Sequence, residues 1–391
     1  MNYILFDGDV RTSLFPFTLT RPVADIRIGI LTIREKWETY LKSTISTSTE
    51  EYLAVKYPLN LREDNVFIDG SFLPTPEVVA AIQGLHPREA ITCEGSLVAI
   101  RSSELPDFSE IRIDKAINIT KPLIRIKNTW DIFSKNGEAL QQDFELLTKG
   151  RKSAPVSGTN RLICPENIFL EAGAKVEHSI LNATAGPIYL GKDSEIMEGN
   201  MIRGGFALCD HGVVKMGAKI YGPTTVGPYG KVCGEISNSV IFGYSSKGHD
   251  GYLGNSVLGE WCNIGADTNN SNLKNNYAKV RLWNYASERF DPTGLQFCGL
   301  MMGDHSKTAI NTMFNTGTVI GVNCNIFTPG FPRNFVPSFS WGGASGFSTY
   351  TTEKAFEAAK VMMERRGKAF DDTEAGILEA VFEMTKKWRK Y

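Results

Sequence analysis

The sequence predicts an α/β domain followed by a parallel β-helix and a helical tail. Three observations support this prediction. Aliphatic residues recur at every sixth position through the middle of the chain, short apolar strands alternate with helical patterns before it, and two amphipathic helical patterns follow Gly343. With 391 residues, the chain is long enough for two or more domains that each bury a core.

The first 150 residues carry the alternating pattern. Apolar residues at spacings of 4, 3, 4 and 4 predict one amphipathic helix, and a threonine-proline-glutamate sequence predicts the start of another. Strands that alternate with helices indicate an α/β layer whose ligand crevice lies at the carboxyl ends of its strands. The predicted elements are strands at Tyr3–Phe6 and Val66–Ile68, and helices over 26–41, from Thr75 onward and over 140–147.

A basic stretch separates this domain from the repeats. Residues 149–159 (KGRKSAPVSGT) are rich in small residues, proline and glycine, which is typical of a linker. The predicted organisation is therefore an α/β domain at 1–150, a linker at 151–164, a β-helix at 165–345 and a helical tail at 346–391.

The repeats have a period of six, which fits neither an α-helix nor an alternating strand. It fits a chain that turns a corner every six residues and directs one aliphatic side chain inward on each side. Two further runs continue the first with shifts of phase. The first run is Leu190, Ile196, Ile202, Leu208, Val214, Ile220, Val226 and Val232; the second is Val240, Ser246, Tyr252, Leu258 and Ile264; the third is Ile310, Thr316, Val322 and Thr328.

The period fails between Ile264 and Ile310. The insert contains five asparagines between 269 and 276, and its aromatic residues argue against disorder. A long aperiodic loop inside a solenoid is usually functional. Because its rings have no obvious place to be buried within one chain, the insert is predicted to pack against a neighbouring chain.

Composition excludes several classes of protein. The formal net charge of −1 gives no electrostatic argument for binding nucleic acid or an anionic membrane. The seven cysteines show no CxxC pair and no metal-ligand spacing, which indicates reduced thiols in a cytoplasmic protein. The sequence MNYILFDGDV lacks the features of a secretory signal, and no apolar run reaches the length of a membrane span.

The β-helix resembles the acetyltransferase half of a known bifunctional family, the glucosamine-1-phosphate N-acetyltransferases/N-acetylglucosamine-1-phosphate uridylyltransferases. The similarity is carried by KGHDGYLG at 247–254, by LGEWCNIGADT at 258–268 and by Asn272. It covers about 165–345, and the whole chain is most similar to the family's short-N-domain, Bacteroidetes-type variant. The resemblance implies a left-handed parallel β-helix, a sugar nucleotidyltransferase-like N-terminal domain, and a homotrimer in which the insert completes a neighbour's acetyl-CoA groove.

The resemblance also implies roles for individual residues. The family grips the sugar phosphate with basic residues upstream of its histidine, whereas residues 235–239 contain no lysine, so Lys219 and Arg203 are the nearest candidates. Tyr252 also fits a hexad position, and a core aromatic residue is the alternative there. The implied roles are catalytic base for His249, substrate binding for Tyr252, Asn263, Asn272, Glu235 and Lys219, and acetyl-CoA binding for Ala266 and Lys307.

The role of His249 also follows from chemistry. N-acetylation requires a base that takes a proton from the amine attacking a thioester, and histidine has an unperturbed pKa near neutrality. Of the five histidines, only His249 is flanked by glycines in a polar break of the hexad period. The alternative is an ordinary exposed loop histidine, and His305 is the second candidate base.

The first domain carries a weaker signature of nucleotidyl transfer. Leu14–Thr18 and Pro22 resemble part of the loop with which this class of enzyme binds a triphosphate, but its glycines are absent and Val23 stands where a lysine is expected. Arg11 and Arg21 are predicted to supply the positive charge, and Asp69 to bind Mg²⁺. A degenerate domain with ordinary surface charges is the alternative.

The predicted function is a transferase that moves acetyl from acetyl-CoA to glucosamine-1-phosphate, with the first domain coupling the product to UTP in a Mg²⁺-dependent step. One alternative is a sugar-1-phosphate nucleotidyltransferase that uses its β-helix only as an oligomerisation scaffold. Another is a catalytically inactive sugar-binding regulator. Acetyl-CoA, an amino-sugar phosphate and UTP are the small-molecule partners that the first reading requires.

Overall fold

The structure is a computed structural model that describes residues 1–108 and 110–391. It consists of a mixed-sheet domain, a three-sided parallel β-helix and two C-terminal helices, which confirms the predicted fold class. Within the described residues, no helix is both long and apolar enough to cross a membrane.

A six-stranded sheet forms the centre of the first domain. The strands are β1 (Asn2–Phe6), β2 (Ser46–Ser48), β3 (Asn65–Asp69), β4 (Glu89–Cys93), β5 (Ser96–Ser102) and β6 (Lys115–Ile119). Their order is β2-β1-β3-β5-β4-β6, with β1 parallel to β2 and β3 and with β5 antiparallel to its neighbours. The helices are α1 (Ile33–Leu41), α2 (Glu51–Ala54), α3 (Pro76–Gln83), α4 (Thr129–Ser134) and α5 (Asn136–Thr148), and 3-10 turns lie at Arg11–Leu14, Phe17–Leu19 and Val23–Asp25.

Most predicted elements of this domain are present. Strands β1 and β3 match the two predicted strands, α5 contains the helix predicted over 140–147, and α3 starts after the predicted cap Thr75. The helix predicted over 26–41 is wrong in its first half. Helix α1 begins at Ile33 because the hydroxyl of Thr32 accepts from the backbone of Glu35 while the Glu35 carboxylate accepts from the backbone of Thr32.

The β-helix has three faces of stacked parallel strands. Face 1 comprises Arg161–Ile163, Ile180–Asn182, Met201–Arg203, Lys219–Tyr221, Glu235–Ser237 and Tyr252–Gly254, with the pair Asn269–Asn270 and Met313–Phe314 beyond. Face 2 comprises Ile168–Leu170, Ile188–Leu190, Phe206–Leu208, Thr224–Val226, Val240–Ile241, Val257–Leu258, Leu300–Met302, Thr318–Ile320 and Phe335–Val336. Face 3 comprises Lys175–Val176, Glu195–Ile196, Val213–Val214, Lys231–Val232 and Ser246–Lys247, and then Lys307–Thr308, Asn325–Ile326 and the hairpin Ser340–Gly343 with Gly346–Thr349.

The first hexad run is confirmed as the inward-facing set. All eight of its side chains are at most 1% exposed and belong to one core cluster inside the coil. Leu190 pairs with Leu208, and Leu208 with Val226, so each of these coils takes 18 residues, which is three hexads. The aliphatic stack that the sequence shows is therefore the interior of the β-helix.

The second run is partly wrong because the coils shorten. Val226 pairs with Ile241, and Ile241 pairs with Leu258, which makes coils of 15 and 17 residues. The strand residues that enter the coil are consequently Ile241, Lys247 and Leu253, each one position after the predicted residue. The predicted inward position of Tyr252 is wrong, and its side chain lies on the outer surface of face 1, half-buried.

The third run is wrong by two positions. Ile310 is 68% exposed, whereas Phe314, Ile320 and Ile326 fill the coil. The insert before this run changes the phase of the repeat. A six-residue period extended across the insert therefore does not predict the inward-facing positions of the later coils.

Face 2 is covered by the chain's own first domain. Phe169 and Tyr189, on the outer side of its early strands, pack against Leu140 and Phe144 of α5. Outer residues of its later strands belong to the same core cluster as the first domain, among them Val240. Face 2 is thus buried on both sides.

The aromatic insert packs within the same chain, contrary to expectation. It forms an antiparallel hairpin of Arg281–Asn284 with Arg289–Pro292. The Trp283 ring stacks on Phe335 with centroids 4.2 Å apart, and the Tyr285 ring lies 5.7 Å from Phe15 and 4.9 Å from Trp388. The prediction that these rings need a neighbouring chain is therefore wrong for Trp283 and Tyr285, which contact the first domain, the last coils and the tail, whereas Tyr277 and Phe297 are 67% and 44% exposed.

The tail consists of α6 (Thr352–Glu364) and α7 (Asp372–Met384), followed by a 3-10 turn at Lys386–Trp388. Helix α6 lies beside face 3, where the two enclose a groove with face-3 residues such as Lys231 and Ser246 on one wall.

Candidate functional site

His249 lies at a corner of the coil, between a strand of face 3 that ends at Lys247 and a strand of face 1 that starts at Tyr252. The imidazole is exposed. Gly251 shapes the corner: its φ is +111°, and a Cβ there would lie 2.2 Å from the carbonyl oxygen of Thr268. The glycine that flanks His249 on this side is therefore required by the close approach of the next coil.

Lys247 holds the His249 corner from inside the coil. It occupies the inward position opposite Val232 and is 1% exposed. Its Nζ donates to the carbonyl oxygens of His249 and Asp250, the latter at 2.9 Å. Burial lowers the pKa of Lys247 to about 8. The sequence analysis did not identify this role. The six-residue spacing of Ile241, Lys247 and Leu253 predicts an inward position for Lys247 once the repeat is counted from Ile241.

Four of the predicted substrate residues lie together on face 1. Lys219 pairs in register with Glu235, and Glu235 with Tyr252, so the three form a row across adjacent strands. The Nζ of Lys219 is 3.8 Å from the Glu235 carboxylate. Asn272 donates from its amide to the Tyr252 hydroxyl at 2.8 Å and to the Asn255 side chain at 2.8 Å. The row therefore ends in a hydrogen-bonded pair at Tyr252, the first residue of the strand that follows the His249 corner.

The predicted acetyl-CoA residue Lys307 lies on face 3, together with Asn263. Asn263 bridges Ser246 and Lys307 in parallel register and is exposed. The Nζ of Lys307 donates to the carbonyl oxygen of His305 at 3.0 Å, and burial lowers the pKa of Lys307 to about 8. Ala266, in the following corner, is half-buried and accepts from the backbone of Asn311 at 2.8 Å. The residues predicted to bind the sugar thus lie on face 1, except for Asn263. Asn263 lies on face 3 with Lys307, which is predicted to bind acetyl-CoA.

The second candidate base, His305, does not fit that role. It is 5% exposed, its ring stacks near Trp261, and its Nδ1 has no hydrogen-bond partner among the described residues. Burial lowers the pKa of His305 to about 3. Of the two candidate bases, His249 is therefore the exposed one and His305 the buried one.

The groove between face 3 and α6 has a volume of about 830 Å³. Its walls include Ser246 and Asn263 from the coil and the apolar side chains of Val361 and Met362 near the helix end. Six cations line it: Lys215, Lys231, Lys307, Lys354, Arg365 and Arg366. The groove approaches the His249 corner at Lys215, because the Nζ of this lining residue would lie 3.3 Å from a Cβ on Gly248.

A second cavity, of about 810 Å³, lies at the carboxyl ends of β1 and β3, where the sequence predicts the crevice of the first domain. Asp69 lines it and is 3% exposed. One carboxylate oxygen accepts from the backbone and hydroxyl of Ser71 at 2.8 and 2.7 Å, and the other lies 3.1 Å from Arg125. Burial raises the pKa of Asp69 to about 6, although these hydrogen bonds and Arg125 act in the opposite direction.

Asp69, the predicted Mg²⁺ ligand, is paired within the protein. Both of its oxygens already have partners, and the described residues contain no group of three or more His, Cys, Asp or Glu side chains suited to a metal ion. Arg125, which sequence reasoning missed, is the cation of this cavity: it also donates to Asp9 and to the hydroxyl of Ser96. The β-bridge from Phe72 to Arg125 brings it there, and nothing in the local sequence signals that contact.

The two arginines predicted for nucleotide binding have different positions. Arg11 lies beside the cavity: it donates to the carbonyl oxygen of Thr18 at 3.0 Å and to the Tyr52 hydroxyl at 2.6 Å, and its Nε is 3.3 Å from Asp7. Arg21 is 4% exposed and is paired with Asp304 of the β-helix. This placement contradicts a role for Arg21 in binding nucleotide.

The loop predicted to bind a triphosphate is also buried. Leu14, Phe17 and Thr18 are 0% exposed, and the Phe17 ring lies 5.6 Å from Phe242 of the coil. Leu14–Thr18 therefore forms an interface between the first domain and the β-helix, and the departures from the glycine-rich pattern agree with that packing.

Comparisons with known proteins find one family model and several bifunctional relatives. Residues 3–152 match the family model described as sugar nucleotidyl transferase. The chain is 34% identical over 90 residues to the bifunctional protein GlmU of Methanocaldococcus jannaschii, which is 23% of this chain and 21% of that protein. It is 33% identical over 93 residues to a bifunctional sugar-1-phosphate nucleotidylyltransferase/acetyltransferase of Sulfurisphaera tokodaii, which is 24% of this chain and 23% of that protein.

The extent of these matches is limited. The chain spans about a fifth of the length of the curated relatives it matches. Among solved structures, UDP-N-acetylglucosamine acyltransferase from Campylobacter jejuni aligns with 60% of this chain and 83% of its own, at 12% identity and a TM-score of 0.25. The homology to bifunctional sugar-1-phosphate transferases therefore rests on the sequence matches and on the family model of the first domain.

Proposed function

We propose that the β-helix transfers acetyl from acetyl-CoA to the amine of glucosamine-1-phosphate, with His249 as the base. One observation carries the proposal: the corner that holds exposed His249 joins the face with the Lys219, Glu235 and Tyr252 row to the face with the cation-lined groove. A base placed between two sites of different chemistry suits a reaction between a sugar and a separate acyl donor. The homology to bifunctional nucleotidylyltransferase/acetyltransferases supports this reading.

The proposed step assigns each proton and bond. The sugar nitrogen attacks the thioester carbonyl carbon, His249 accepts the proton that the nitrogen loses, the carbon–sulfur bond breaks, and the thiolate of CoA leaves and is protonated. Tyr252 and Asn272 are proposed to bind sugar hydroxyls through the oxygen and amide groups that now bond to each other. Lys219 is the cation proposed for the sugar phosphate, since it is exposed and its Nζ is 3.8 Å from its nearest carboxylate partner, Glu235.

The test measures acetyl transfer by the full chain to a panel of amino-sugar phosphates. The reaction is monitored by the release of the free CoA thiol. The proposal expects turnover with an amino-sugar-1-phosphate and loss of turnover in His249→Ala. If the wild-type chain turns over none of the amino sugars, the proposal fails. Turnover that survives His249→Ala would show that His249 is not the base.

A second activity is proposed for the first domain, which is coupling of the acetylated sugar-1-phosphate to UTP. The family match over residues 3–152 and the 810 Å³ cavity at the strand ends favour it. Mg²⁺ is expected to enter as the complex with UTP, since both oxygens of Asp69 are already paired. If the full chain forms no nucleotide sugar from any nucleoside triphosphate, this half is a structural relic.

A homotrimer is also proposed, now with face 1 in contact with a neighbouring chain. Face 2 is covered by the first domain, whereas Ile180, Met201 and Tyr221 on face 1 are 41%, 58% and 44% exposed. Such apolar side chains on neighbouring coils suit contact with another chain. Light scattering of the full chain tests this: a monomer that retains full activity would remove the trimer from the proposal.

A further inference from the structure

A third cavity, of about 740 Å³, lies between the hairpin of the insert and the corner where the late coils pass from face 1 to face 2. The insert contributes Lys274, Arg281 and Phe290 to its wall, and the late coils contribute Arg333 and Phe335. Among the described residues, it shares no lining residue with the groove beside α6 or with the cavity of the first domain. It is therefore a separate site.

The charge of this cavity is positive. Lys274, Arg281 and Arg333 line it, and none of the described lining residues is an acid. These three cations have no carboxylate within 4.0 Å among the described residues. Asp291 of the hairpin accepts instead from the Nε of Arg289, at 2.9 Å. The cavity thus gathers cations from two segments of the chain without a protein anion to balance them.

Packing of the insert explains only part of this charge. Gly317 lets the hairpin approach the coil closely, because its φ is +70° and a Cβ there would lie 2.7 Å from the carbonyl oxygen of Arg281. The Nε of Arg281 donates to the carbonyl oxygen of Phe290 at 2.9 Å, which is a role within the hairpin. The exposed Arg333 has no hydrogen-bond partner among the described residues. Its planar guanidinium offers several donors in the geometry that suits a phosphate group.

The same cavity has aromatic walls. Phe290 and Phe335 are half-buried. Trp283 holds both rings, since it stacks on Phe335 with centroids 4.2 Å apart and meets the Phe290 ring edge-on at 5.5 Å. The two phenylalanine rings are therefore fixed apolar surfaces beside the cations. Such rings bind nucleobases by stacking, with little dependence on which base is present.

We infer that this cavity binds a nucleoside diphosphate group, with the base against Phe290 and Phe335. The two phosphates lie at Lys274, Arg281 and Arg333, because several unpaired cations suit a group with more than one negative charge. The volume of about 740 Å³ lies within the range of small-molecule sites. The chain's net charge of −1 gives no argument for a nucleic acid as the ligand.

The inference goes beyond both proposed reactions, because the cavity is separate from the sites assigned to them. A ligand here contacts the insert through Phe290 and the late coils through Phe335. Binding should therefore hold the two segments together and raise the melting temperature of the chain.

Calorimetric titration of the full chain with UDP, inorganic pyrophosphate and CoA tests the inference. Arg333→Gln should weaken UDP binding at this site by about 10-fold, the scale of a lost charge-assisted hydrogen bond. Phe290→Leu keeps an apolar side chain but removes stacking, and it should weaken UDP binding by about 5-fold or more. Arg289→Gln is the matched control, because it lies on the same hairpin outside the cavity and should bind UDP as the wild-type chain does.

Binding at the first domain is separated by a second background. Each variant is also made in the Arg125→Met chain, whose first-domain cavity has lost its cation. UDP should still bind this chain and raise its melting temperature, and Arg333→Gln should remove most of that rise. The melting temperature without ligand confirms that each variant is folded.

Four outcomes would overturn the inference. The first is an absence of UDP binding in the Arg125→Met chain, since all binding would then belong to the first domain. The second is equal UDP affinity in Arg333→Gln, Phe290→Leu and the parent chain. The third is pyrophosphate binding as tight as that of UDP with no effect of Phe290→Leu, which would leave a site for polyphosphate alone. The fourth is a response of CoA alone to the cavity variants. Neither acetyl transfer nor nucleotide-sugar formation enters this test.

Discussion

Arg21 and Asp304 form a buried bidentate ion pair between the first domain and the β-helix. The guanidinium donates to both carboxylate oxygens, at 3.2 and 2.5 Å, and the side chains are 5% and 4% exposed. Asp304 also accepts from the Thr20 hydroxyl at 2.7 Å and from the backbone of Glu260 at 2.9 Å. Burial acts to lower the pKa of Arg21, but the charges of Asp304 and Glu260 outweigh it and the pKa is raised. A residue that the sequence suggests for nucleotide binding thus joins the two halves.

The first prediction concerns this pair. Arg21→Leu leaves the Asp304 carboxylate buried without its cation and should lower the free energy of unfolding by about 3–5 kcal/mol, the usual cost of breaking a buried pair. Arg21→Leu combined with Asp304→Leu should recover part of that loss. Urea unfolding of the three variants measures both effects, and a single variant as stable as the wild-type chain would contradict the buried pair.

The second prediction concerns His249. Because the imidazole is exposed at a corner and packs no core, His249→Ala should leave the melting temperature nearly unchanged. Acetyl transfer should fall by roughly 10²–10⁴-fold, the usual contribution of a general base. His178→Ala, at another exposed position of the coil with a φ of 47°, is the matched control and should retain full turnover. Equal losses in both variants would point to a general effect on the coil.

The third prediction concerns the buried Lys247. Its pKa in the folded chain is about 8, below the value of about 10.4 for an unfolded chain. Between these two values the unfolded chain binds more protons, so the folding penalty of Lys247 is full below about pH 8 and is relieved as the pH rises toward about 10.4. The free energy of unfolding of the wild-type chain, relative to Lys247→Met, should therefore increase over this window.

Urea unfolding at a series of pH values measures this difference. Lys175→Met, at an exposed position of the same face, is the control and should follow the wild-type curve. A flat difference between wild-type and Lys247→Met across the window would show that Lys247 is solvated in the folded chain.

The fourth prediction concerns the cavity of the first domain. Arg125→Met removes its cation and should weaken UTP binding by about 10-fold or more, as expected for charge-assisted hydrogen bonds. Arg11→Met should weaken it by a similar factor if Arg11 reaches the triphosphate. Because the raised pKa of Asp69 is about 6, lowering the pH through this value protonates the carboxyl, frees Arg125 and should strengthen UTP binding.

Asp69→Asn removes this titration and isolates its effect. The variant should bind UTP at neutral pH about as tightly as the wild-type chain does below pH 6. Calorimetry at several pH values, with and without Mg²⁺, is the measurement. If Asp69→Asn instead abolishes Mg²⁺-dependent binding, Asp69 is a metal ligand after all and its pairing with Arg125 opens when nucleotide binds.

The fifth prediction concerns the hairpin of the insert. Tyr285 is 3% exposed, and its hydroxyl has no hydrogen-bond partner among the described residues. Tyr285→Ala should lower the free energy of unfolding by about 3–5 kcal/mol, as for other large aromatic deletions in a core. Tyr285→Phe removes only the unpaired hydroxyl and should be neutral or stabilising. Light scattering should show the same oligomeric state in both variants, and dissociation by Tyr285→Ala without loss of stability would return the insert to an interface between chains.

Much of the fold can be predicted from the sequence because its causes are local and repeated. The stack from Leu190 to Val232 is visible in the sequence as a six-residue period, because each coil buries the same kind of side chain at the same interval. The start of α3 after Thr75 follows equally from its own residues. The coils of 15 and 17 residues after Val226 escape this reasoning, because a shortened coil changes the phase without leaving a signal of its own.

The candidate site divides in the same way. His249 and its flanking glycines stand out in the sequence, because a polar break in a regular repeat is visible by itself. The buried position of Lys247, the pairing of Arg125 with Asp69 and the cation-lined groove arise only when distant segments meet. Arg21 and Asp304 are 283 residues apart, and their pairing depends on how the first domain docks on face 2. The sequence by itself therefore determined the coil and its exposed histidine. The tertiary structure decided which charges are buried, paired or exposed to a groove, because those outcomes depend on packing between segments that are distant in the sequence.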